Sequence, residues 1–220
     1  MNISQFYERY WERPQEIDSE VGLEVEPRQE LLRKALRGLP KGAPILDAGC
    51  GAGAFSGFLA ELGFQIVGVD ISARAVALGR ERFPNVAFHA AALEAGLPLR
   101  TELFKAVWCS EVLEHLFDVH KALSEINRVL QPGGTLVLTT PYHGLLKNLI
   151  IALKGYDQHY NPYLSHIRFF SRRSLIGCIE RAGFRVERWG GIGRRWPVWK
   201  SQTVVARKVG PPGPSPAIIG

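Results

Sequence analysis

Residues 45–53 read Ile-Leu-Asp-Ala-Gly-Cys-Gly-Ala-Gly, a short apolar run that breaks into glycines. A strand that ends in glycines and opens into a helix brings bare backbone N–H groups and a helix N-terminus close to a ligand. The next apolar run ends on Asp70, and an acid at that strand tip can accept hydrogen bonds from both hydroxyls of a ribose. The spacing predicts a nucleoside-cofactor site, against the alternative of a plain strand-to-helix turn.

The type of cofactor depends on where the glycines fall. Dinucleotide enzymes use G-x-G-x-x-G, which places a helix dipole against a pyrophosphate. Here the glycines are Gly49, Gly51, Gly53 and Gly57, and the acid Asp47 stands just before them. A carboxylate at this point repels a pyrophosphate and suits a cationic ligand that carries an amino acid.

A second group of reactive side chains follows a later apolar run, in the sequence Glu111-Val112-Leu113-Glu114-His115. On a helical turn, positions i, i+3 and i+4 share a face, so Glu111, Glu114 and His115 are expected to converge. Two crowded carboxylates repel each other unless a cation lies between them, and an imidazole beside them suits a hard divalent metal or Zn²⁺.

The run from Asp47 to Gly53 resembles the first motif of class I S-adenosylmethionine-dependent methyltransferases, and the resemblance extends from about Pro44 to Arg207. It implies S-adenosylmethionine as cofactor and S-adenosylhomocysteine as product. The residues it assigns to cofactor binding are Asp47, Gly49, Cys50, Gly51, Asp70, Ile71, Ala92, Leu93, Ser110 and Tyr10. The acid that often follows the third strand in this family is missing, so the backbone at Ala92 and Leu93 is expected to replace it.

The stretch Glu111–His115 looks like the metal-binding motif of two groups in this family, the ubiquinone-biosynthesis O-methyltransferases and the small-RNA 3′-terminal 2′-O-methyltransferases. The RNA group has a further histidine after an aspartate, and here His166 follows Ser165. The resemblance implies a four-ligand site of Glu111, Glu114, His115 and His166. The alternative is a metal-free site, with Glu111, His115 and His166 as catalytic residues and a histidine as general base for a hydroxyl.

The elements that must position these residues alternate between strands and helices, which predicts an α/β fold with a doubly wound sheet. The resemblance implies seven strands, mostly parallel, with an antiparallel last strand. Residues 1–40 are expected to form an N-terminal helical lid, and residues 41–208 the methyltransferase domain with a substrate-recognition insertion at 141–170. The proline-rich residues 209–220 are expected to be disordered. The predicted strands are 44–48, 65–69, 86–90, 103–109, 134–139, 183–190 and 198–207, and the predicted helices 2–12, 24–38, 54–62, 73–82, 118–130 and 171–182.

Composition limits the class of protein. With 220 residues and 46% hydrophobic content, the chain suits one α/β domain, and its three cysteines show no metal-binding spacing. No signal peptide opens the chain, so we expect a cytoplasmic protein. The formal charge of +6, concentrated late in the chain, is compatible with an anionic substrate, an acidic membrane surface, RNA or a solvated basic face.

The acceptor is expected to contact the insertion. Its apolar pattern from Leu145 to Leu153, flanked by Lys147 and Lys154, predicts either burial against the sheet or peripheral contact with a membrane. The sequence therefore favours O-methylation of a small, lipid-linked or saccharide acceptor. The alternatives are 2′-O-methylation of RNA and a non-catalytic, cofactor-binding regulatory subunit, and the oligomeric state stays open.

Overall fold

The computed structural model describes residues 3–12, 25–161 and 165–215. Its helices are α1 (Ile3–Tyr10), α2 (Val25–Leu36), α3 (Ala54–Glu61), α4 (Ala73–Arg82), α5 (Val119–Val129), α6 (Leu145–Lys154), α7 (Tyr156–His159) and α8 (Arg172–Arg181). Its strands are β1 (Pro44–Ala48), β2 (Gln65–Asp70), β3 (Ala87–Ala90), β4 (Phe104–Ser110), β5 (Leu130–Pro141), β6 (Phe184–Ile192) and β7 (Ser201–Lys208). Short 3₁₀ helices cover Leu93–Ala95 and Leu113–His115.

The strands form one seven-stranded sheet in the order β3-β2-β1-β4-β5-β7-β6. The pairs from β3 to β5 are parallel, whereas β7 runs antiparallel to both β5 and β6. The predicted sheet, mostly parallel with an antiparallel last strand, is confirmed. The strand order reverses between β1 and β4, and ligands of open α/β sheets bind beyond the carboxyl ends of the strands at such a point.

Helices cover both faces of the sheet, as expected for a doubly wound fold. One buried cluster joins α5 and α8 to the sheet through residues such as Ile126 and Ile179. The other joins α2, α3 and α4 through Leu32, Leu59 and Val76. Because both faces are covered, the central strands are buried throughout and can hold polar side chains only near their ends.

The starts of three helices follow from local sequence. The hydroxyl of Ser72 accepts a hydrogen bond from the Ala75 N–H at 3.2 Å, and the carboxylate of Asp118 accepts one from the Lys121 N–H at 2.9 Å. Ser171 and Ser174 form a reciprocal capping box at the start of α8. Such side chains satisfy N–H groups that the first helical turn leaves without partners.

Two boundaries differ from the sequence-based expectation. Strand β5 begins at Leu130, directly after α5, so that Pro132 and Gly133 lie inside an irregular part of the strand rather than before it. After β7, the expected disordered tail is ordered at first, because Gly210 N–H donates to the Gly183 carbonyl and Gly213 N–H to the Arg181 carbonyl. Residues 216–220 lie outside the described part of the chain.

Helix α6 in the insertion was expected to pack on the sheet or to face a membrane. It buries none of its residues, so the expectation of burial against the sheet is wrong. Among the described residues, no helix combines the length and the apolarity that a membrane span requires.

The three cysteines are free thiols. Cys50 and Cys109 are buried, and burial raises the pKa of both thiols, whereas Cys178 is only half-buried.

Candidate active site

A cavity of about 870 Å³ opens at the carboxyl ends of β1, β2 and β4. This size lies within the range of about 300–1,000 Å³ that is usual for small-ligand pockets. All ten residues that the sequence assigned to cofactor binding line this cavity, as do Glu111, His115 and His166. The switch point of the sheet thus brings the two predicted groups of reactive residues into one site.

The loop between β1 and α3 forms one wall of the cavity. Gly49 has a φ of +78° and Gly51 a φ of +53°. A residue with a side chain would be strained at these positive φ values. A Cβ atom on Gly49 would lie 2.3 Å from Val112 Cγ2, and one on Gly51 would lie 2.7 Å from Trp11 Cζ2. Glycine is therefore required at both positions by backbone conformation and by space.

Two acids lie at the ends of adjacent strands. Asp70 accepts hydrogen bonds of 2.9 Å from the Gly51 and Ser72 N–H groups, which fix the direction of its carboxylate. Asp47 is buried on β1 and accepts a hydrogen bond of 2.6 Å from the Ser56 hydroxyl. Burial raises the pKa of Asp70, and raises that of Asp47 to about 7 although the Ser56 hydrogen bond opposes the shift.

The residues after β2 and β3 form the end of the cavity where the backbone at Ala92 and Leu93 was expected to replace the missing acid. Ile71, Ala92 and Leu93 line it, as expected. Glu94 also lines it, but its carboxylate accepts a hydrogen bond from the Asp118 N–H at the start of α5. The nearby acid therefore holds a helix, and the backbone at Ala92 and Leu93 remains the feature that can contact a base.

Helix α1 lies across the cavity and supplies Tyr7, Tyr10 and Trp11 to its lining. The carboxylate of Glu8 accepts hydrogen bonds from the Ala73 and Arg74 N–H groups, at 2.6 and 3.2 Å. These are free donors of the first turn of α4, so α1 is attached to the helix that follows Asp70. Residues 13–24 of the expected lid lie outside the described residues.

The regular helical face predicted to bring Glu111, Glu114 and His115 together is wrong. Glu111 precedes the short 3₁₀ helix and has a φ of +52°, so the three residues do not share a regular helical face. Its carboxylate oxygen Oε1 instead accepts hydrogen bonds from Thr139 Oγ1 at 2.7 Å and pairs with Arg28 Nη2 at 3.2 Å. Glu111 therefore lines the cavity near the other three expected metal ligands, but it does not belong to the group whose ligand atoms lie within 4.8 Å of one another.

Those three, Glu114, His115 and His166, do come together, with one ligand atom from each lying within 4.8 Å of the others. The pairing of distant segments explains this, because the Ile167 and Arg168 N–H groups both donate to the Glu114 carbonyl, at 2.9 and 3.0 Å. The rings of His115 and His166 lie 4.9 Å apart. Among the described residues, no other set of three acids, histidines or cysteines is arranged to hold a metal ion.

The charge states of this cluster follow from burial. Burial raises the pKa of Glu114 well above its usual value, and neighbouring Glu111 raises it further. One Glu114 oxygen accepts from Thr140 Oγ1 at 3.0 Å, while the buried Oε1 has no hydrogen-bond partner among the described residues. Burial lowers the pKa of His115 to about 4 and also lowers that of His166, so both imidazoles are neutral near pH 7.

Sequence reasoning missed several residues of the cavity wall, which include Arg28, Trp11, Ser165 and Lys200. Trp11 directly follows Tyr10, which the sequence did assign to the site. Arg28 gave no signal at all, because a charged residue on an amphipathic helix ordinarily faces solvent. Only the packing of α2 against β7 shows that it is buried beside Glu111 and within 3.4 Å of Ser201 Oγ.

A family profile described as "Methyltransferase domain" matches residues 22–188. A probable S-adenosylmethionine-dependent methyltransferase of Mycolicibacterium smegmatis is 34% identical over 165 residues, which are 75% of this chain and 61% of that protein. A ubiquinone biosynthesis O-methyltransferase of Xanthomonas oryzae pv. oryzae is 36% identical over 103 residues, which are 45% of this chain and 43% of that protein. The chain thus spans less than two thirds of the length of these relatives.

Solved structures with a similar fold include a methyltransferase. A solved S-adenosylmethionine-dependent methyltransferase from Aquifex aeolicus superimposes with a TM-score of 0.69 at 20% identity, covering 89% of this chain and 96% of the other. At this identity the likeness concerns the architecture of the sheet and its helices, and the site must be argued from its own residues.

Proposed function

The chain belongs to the S-adenosylmethionine-dependent methyltransferases, and from that premise we propose that it methylates an oxygen of a small, lipid-linked or saccharide acceptor. One observation carries the proposal: a neutral imidazole, His115, shares a single cavity with the glycine loop and Asp70. A relative that is a ubiquinone biosynthesis O-methyltransferase supports oxygen as the acceptor atom.

The residues present fit the cofactor. Asp70 would hold the ribose hydroxyls, and the loop at Gly49 and Gly51, whose positive φ values suit glycine, would bring backbone groups to the amino-acid end. Asp47 lines the same end and would offset the positive charge of an ammonium group. When bound, S-adenosylmethionine supplies an electrophilic methyl group, so the protein has mainly to align the acceptor.

His115 is arranged to take a proton from a hydroxyl. Its Nδ1 lies 3.0 Å from the Ser165 carbonyl oxygen, which can only accept a hydrogen bond. The proton of the neutral ring therefore resides on Nδ1, and the lone pair of Nε2 is available to accept another. A general base of this kind contributes about 10²- to 10⁴-fold to a rate.

The test is a methyl-transfer screen with labelled cofactor against phenols, glycans, lipids and small RNAs. With the acceptor in hand, we expect His115→Ala to lower kcat by about 10²-fold or more, while the affinity for S-adenosylhomocysteine changes less than twofold. An unchanged kcat would contradict the assigned base. A protein that binds the cofactor but methylates nothing in the screen would favour the regulatory-subunit alternative.

As a second candidate role for the same side chains, we propose that Glu114, His115 and His166 hold a divalent cation; His115 would then bind it through Nε2 and could not act as the base. The supporting observation is the Glu114 oxygen Oε1, which is buried without a hydrogen-bond partner among the described residues and faces two neutral imidazoles. A buried carboxyl in this state favours its proton, whereas a bound cation stabilises the carboxylate. One carboxylate and two imidazoles are ligands that suit Zn²⁺ or a related transition metal.

Metal analysis of protein purified without chelator tests this second proposal. We expect about one equivalent of metal in the wild-type protein and none in Glu114→Gln, with Glu111→Gln as a matched control that retains it. A full methyl-transfer rate after exhaustive EDTA treatment would show that the metal is not needed, and His115 would then act as base alone.

A further inference from the structure

Helix α6 presents its apolar side to solvent. Leu145 is 89% exposed, Leu149 53% and Leu153 75%, and these residues at i, i+4 and i+8 form one stripe along the helix. Leu146 and Ile150 lie beside the stripe and are 46% and 43% exposed. Single exposed leucines are common on protein surfaces, but a continuous stripe of five marks an interaction site.

The opposite side of α6 faces the protein and is largely polar. Asn148 Oδ1 lies 3.1 Å from His143 Nδ1, and Lys147 Nζ donates to the Lys200 carbonyl at 3.2 Å. An ordinary surface helix buries its apolar side and exposes its polar side. Here the polarity is reversed, so the partner of the apolar stripe must come from outside the described part of the chain.

The exposed apolar surface continues from α6 towards the mouth of the cavity. Tyr156 packs on Tyr160 with ring centroids 5.0 Å apart, and Tyr160 packs on Phe169 at 5.1 Å. Phe169 follows His166, which lines the cavity. Other exposed apolar residues are Phe117, Ile167 and Trp196.

The charge of the same segments is positive. Residues 141–170 and 193–200 contain six lysines and arginines and a single acid, Asp157. The bases are Lys147, Lys154, Arg168, Arg194, Arg195 and Lys200. Helix α6 itself has two lysines and no acid. An exposed apolar stripe on a helix that has no acid, within basic segments, is the pattern of a helix that lies in the interface of a membrane with anionic lipids.

We propose that α6 docks the protein on an anionic lipid surface, with Leu145, Leu149 and Leu153 inserted between the headgroups. A helix of 10 residues is about 15 Å long, which suits an interfacial position rather than a span. Docking would place the cavity mouth, at His166 and Lys200, beside the lipid. Only the role of this placement rests on the proposed function. That role is to let a lipid-linked acceptor enter the cavity from the membrane.

Vesicle co-flotation tests the proposal without a methyl acceptor. We expect the wild-type protein to float with vesicles of phosphatidylglycerol and phosphatidylcholine, and not with phosphatidylcholine alone. Leu145→Glu combined with Leu153→Glu should weaken the partition at least tenfold. Gln158→Glu, which adds an acid on the adjacent helix α7 outside the stripe, should change it less than twofold.

Two results would overturn the proposal. One is a wild-type protein that does not float with the anionic vesicles. The other is self-association in light scattering that the double variant abolishes, because the stripe would then be an interface between copies of the chain. Calorimetry with S-adenosylhomocysteine on the same preparations separates this question from the proposed function, since the double variant should bind it as the wild type does.

Discussion

The buried carboxylate of Asp47 and the partly buried carboxylate of Asp70 lie close together at the carboxyl ends of β1 and β2. Burial raises the pKa of both, and the charge of Asp70 raises that of Asp47 further. Both acids therefore become easier to ionise when a positive charge enters the cavity. A sulfonium cofactor with an ammonium group supplies such charge, whereas a pyrophosphate would increase the repulsion.

Replacement of Asp70 tests the ribose contact. Asp70→Ala removes a carboxylate that would accept two hydrogen bonds from the ribose, each worth about 1.5–3 kcal/mol when the acceptor is charged. We expect the Kd for S-adenosylhomocysteine, measured by calorimetry, to rise by about 100-fold or more. An unchanged Kd in a protein with a wild-type circular dichroism spectrum would contradict the cofactor assignment.

The raised pKa of Asp47 predicts how stability depends on pH. The folded carboxyl titrates at about 7 and the unfolded one near 3.8, so between these values the folded state holds a proton that the unfolded state has lost. The stabilisation is complete below pH 3.8 and is lost as the pH rises through about 7.

We therefore expect the free energy of unfolding of the cofactor-free wild type to fall relative to Asp47→Asn between these pH values, by on the order of 4 kcal/mol. Asparagine resembles the protonated acid and does not titrate, so the difference between the two proteins isolates Asp47. Urea denaturation across this pH range provides the measurement. Parallel pH profiles for the two proteins would contradict the shifted pKa.

At the scale of elements, α1 is held at the cavity through the first turn of α4. Glu8 accepts hydrogen bonds from two N–H groups of that turn, and Arg74 Nε donates to the Trp11 carbonyl at 3.0 Å. Trp11 in turn packs over Gly51. Cofactor residues on the glycine loop are thus covered by a helix whose attachment depends on a few polar contacts.

Glu8→Gln tests whether α1 retains the cofactor. The substitution removes a negative charge at a helix N-terminus, an interaction worth about 0.3–1 kcal/mol at an exposed site. We expect S-adenosylhomocysteine to dissociate about two- to fivefold faster, as measured by stopped-flow tryptophan fluorescence. Glu12→Gln, with the same change of charge just beyond α1, is the matched control and should leave the rate unchanged.

At the scale of the whole molecule, much of the late positive charge serves the fold. Arg168 donates to the Leu116 and Phe117 carbonyls, and Arg172 lies over the Trp189 ring at 4.5 Å. Arg207 pairs with Glu187 at 3.2 Å, and Lys208 donates to two main-chain carbonyls. These contacts reduce the charge available to a nucleic acid, although the net charge of +6 leaves room for weak attraction.

Salt dependence separates an RNA substrate from the proposed acceptors. A protein that neutralises several phosphates of single-stranded RNA loses affinity steeply with salt, with a slope of about −0.7 per phosphate contact on logarithmic axes. We expect a slope shallower than about −2 for a small RNA measured by fluorescence anisotropy. A steeper slope together with methyl transfer to the RNA in the screen would favour the RNA alternative.

The residues assigned to the cofactor could be grouped from sequence because they lie close together along the chain. Gly49, Gly51 and Asp70 belong to two consecutive strand-turn-helix units, in which the spacing along the chain already specifies the spacing in space. The same holds for the alternation that predicted the sheet. Short-range patterns of this kind predict the structure because hydrophobic periodicity and glycine conformation each depend on only a few neighbouring residues.

The residues assigned to the acceptor side of the cavity are brought together only by the tertiary structure. His166 reaches His115 only because residues 165–168 pair with the turn after β4, and Arg28 reaches Glu111 only through the packing of α2. Glu111 takes a positive φ and pairs with Arg28 and Thr139 instead of joining the cluster, and the reversed polarity of α6 is visible only in its contacts. The sequence by itself determined the fold class and the grouping of the glycine loop with Asp70 in one cavity. The acceptor-side residues are grouped by contacts between distant segments. No local sequence pattern specifies the direction in which the side chains of those segments point.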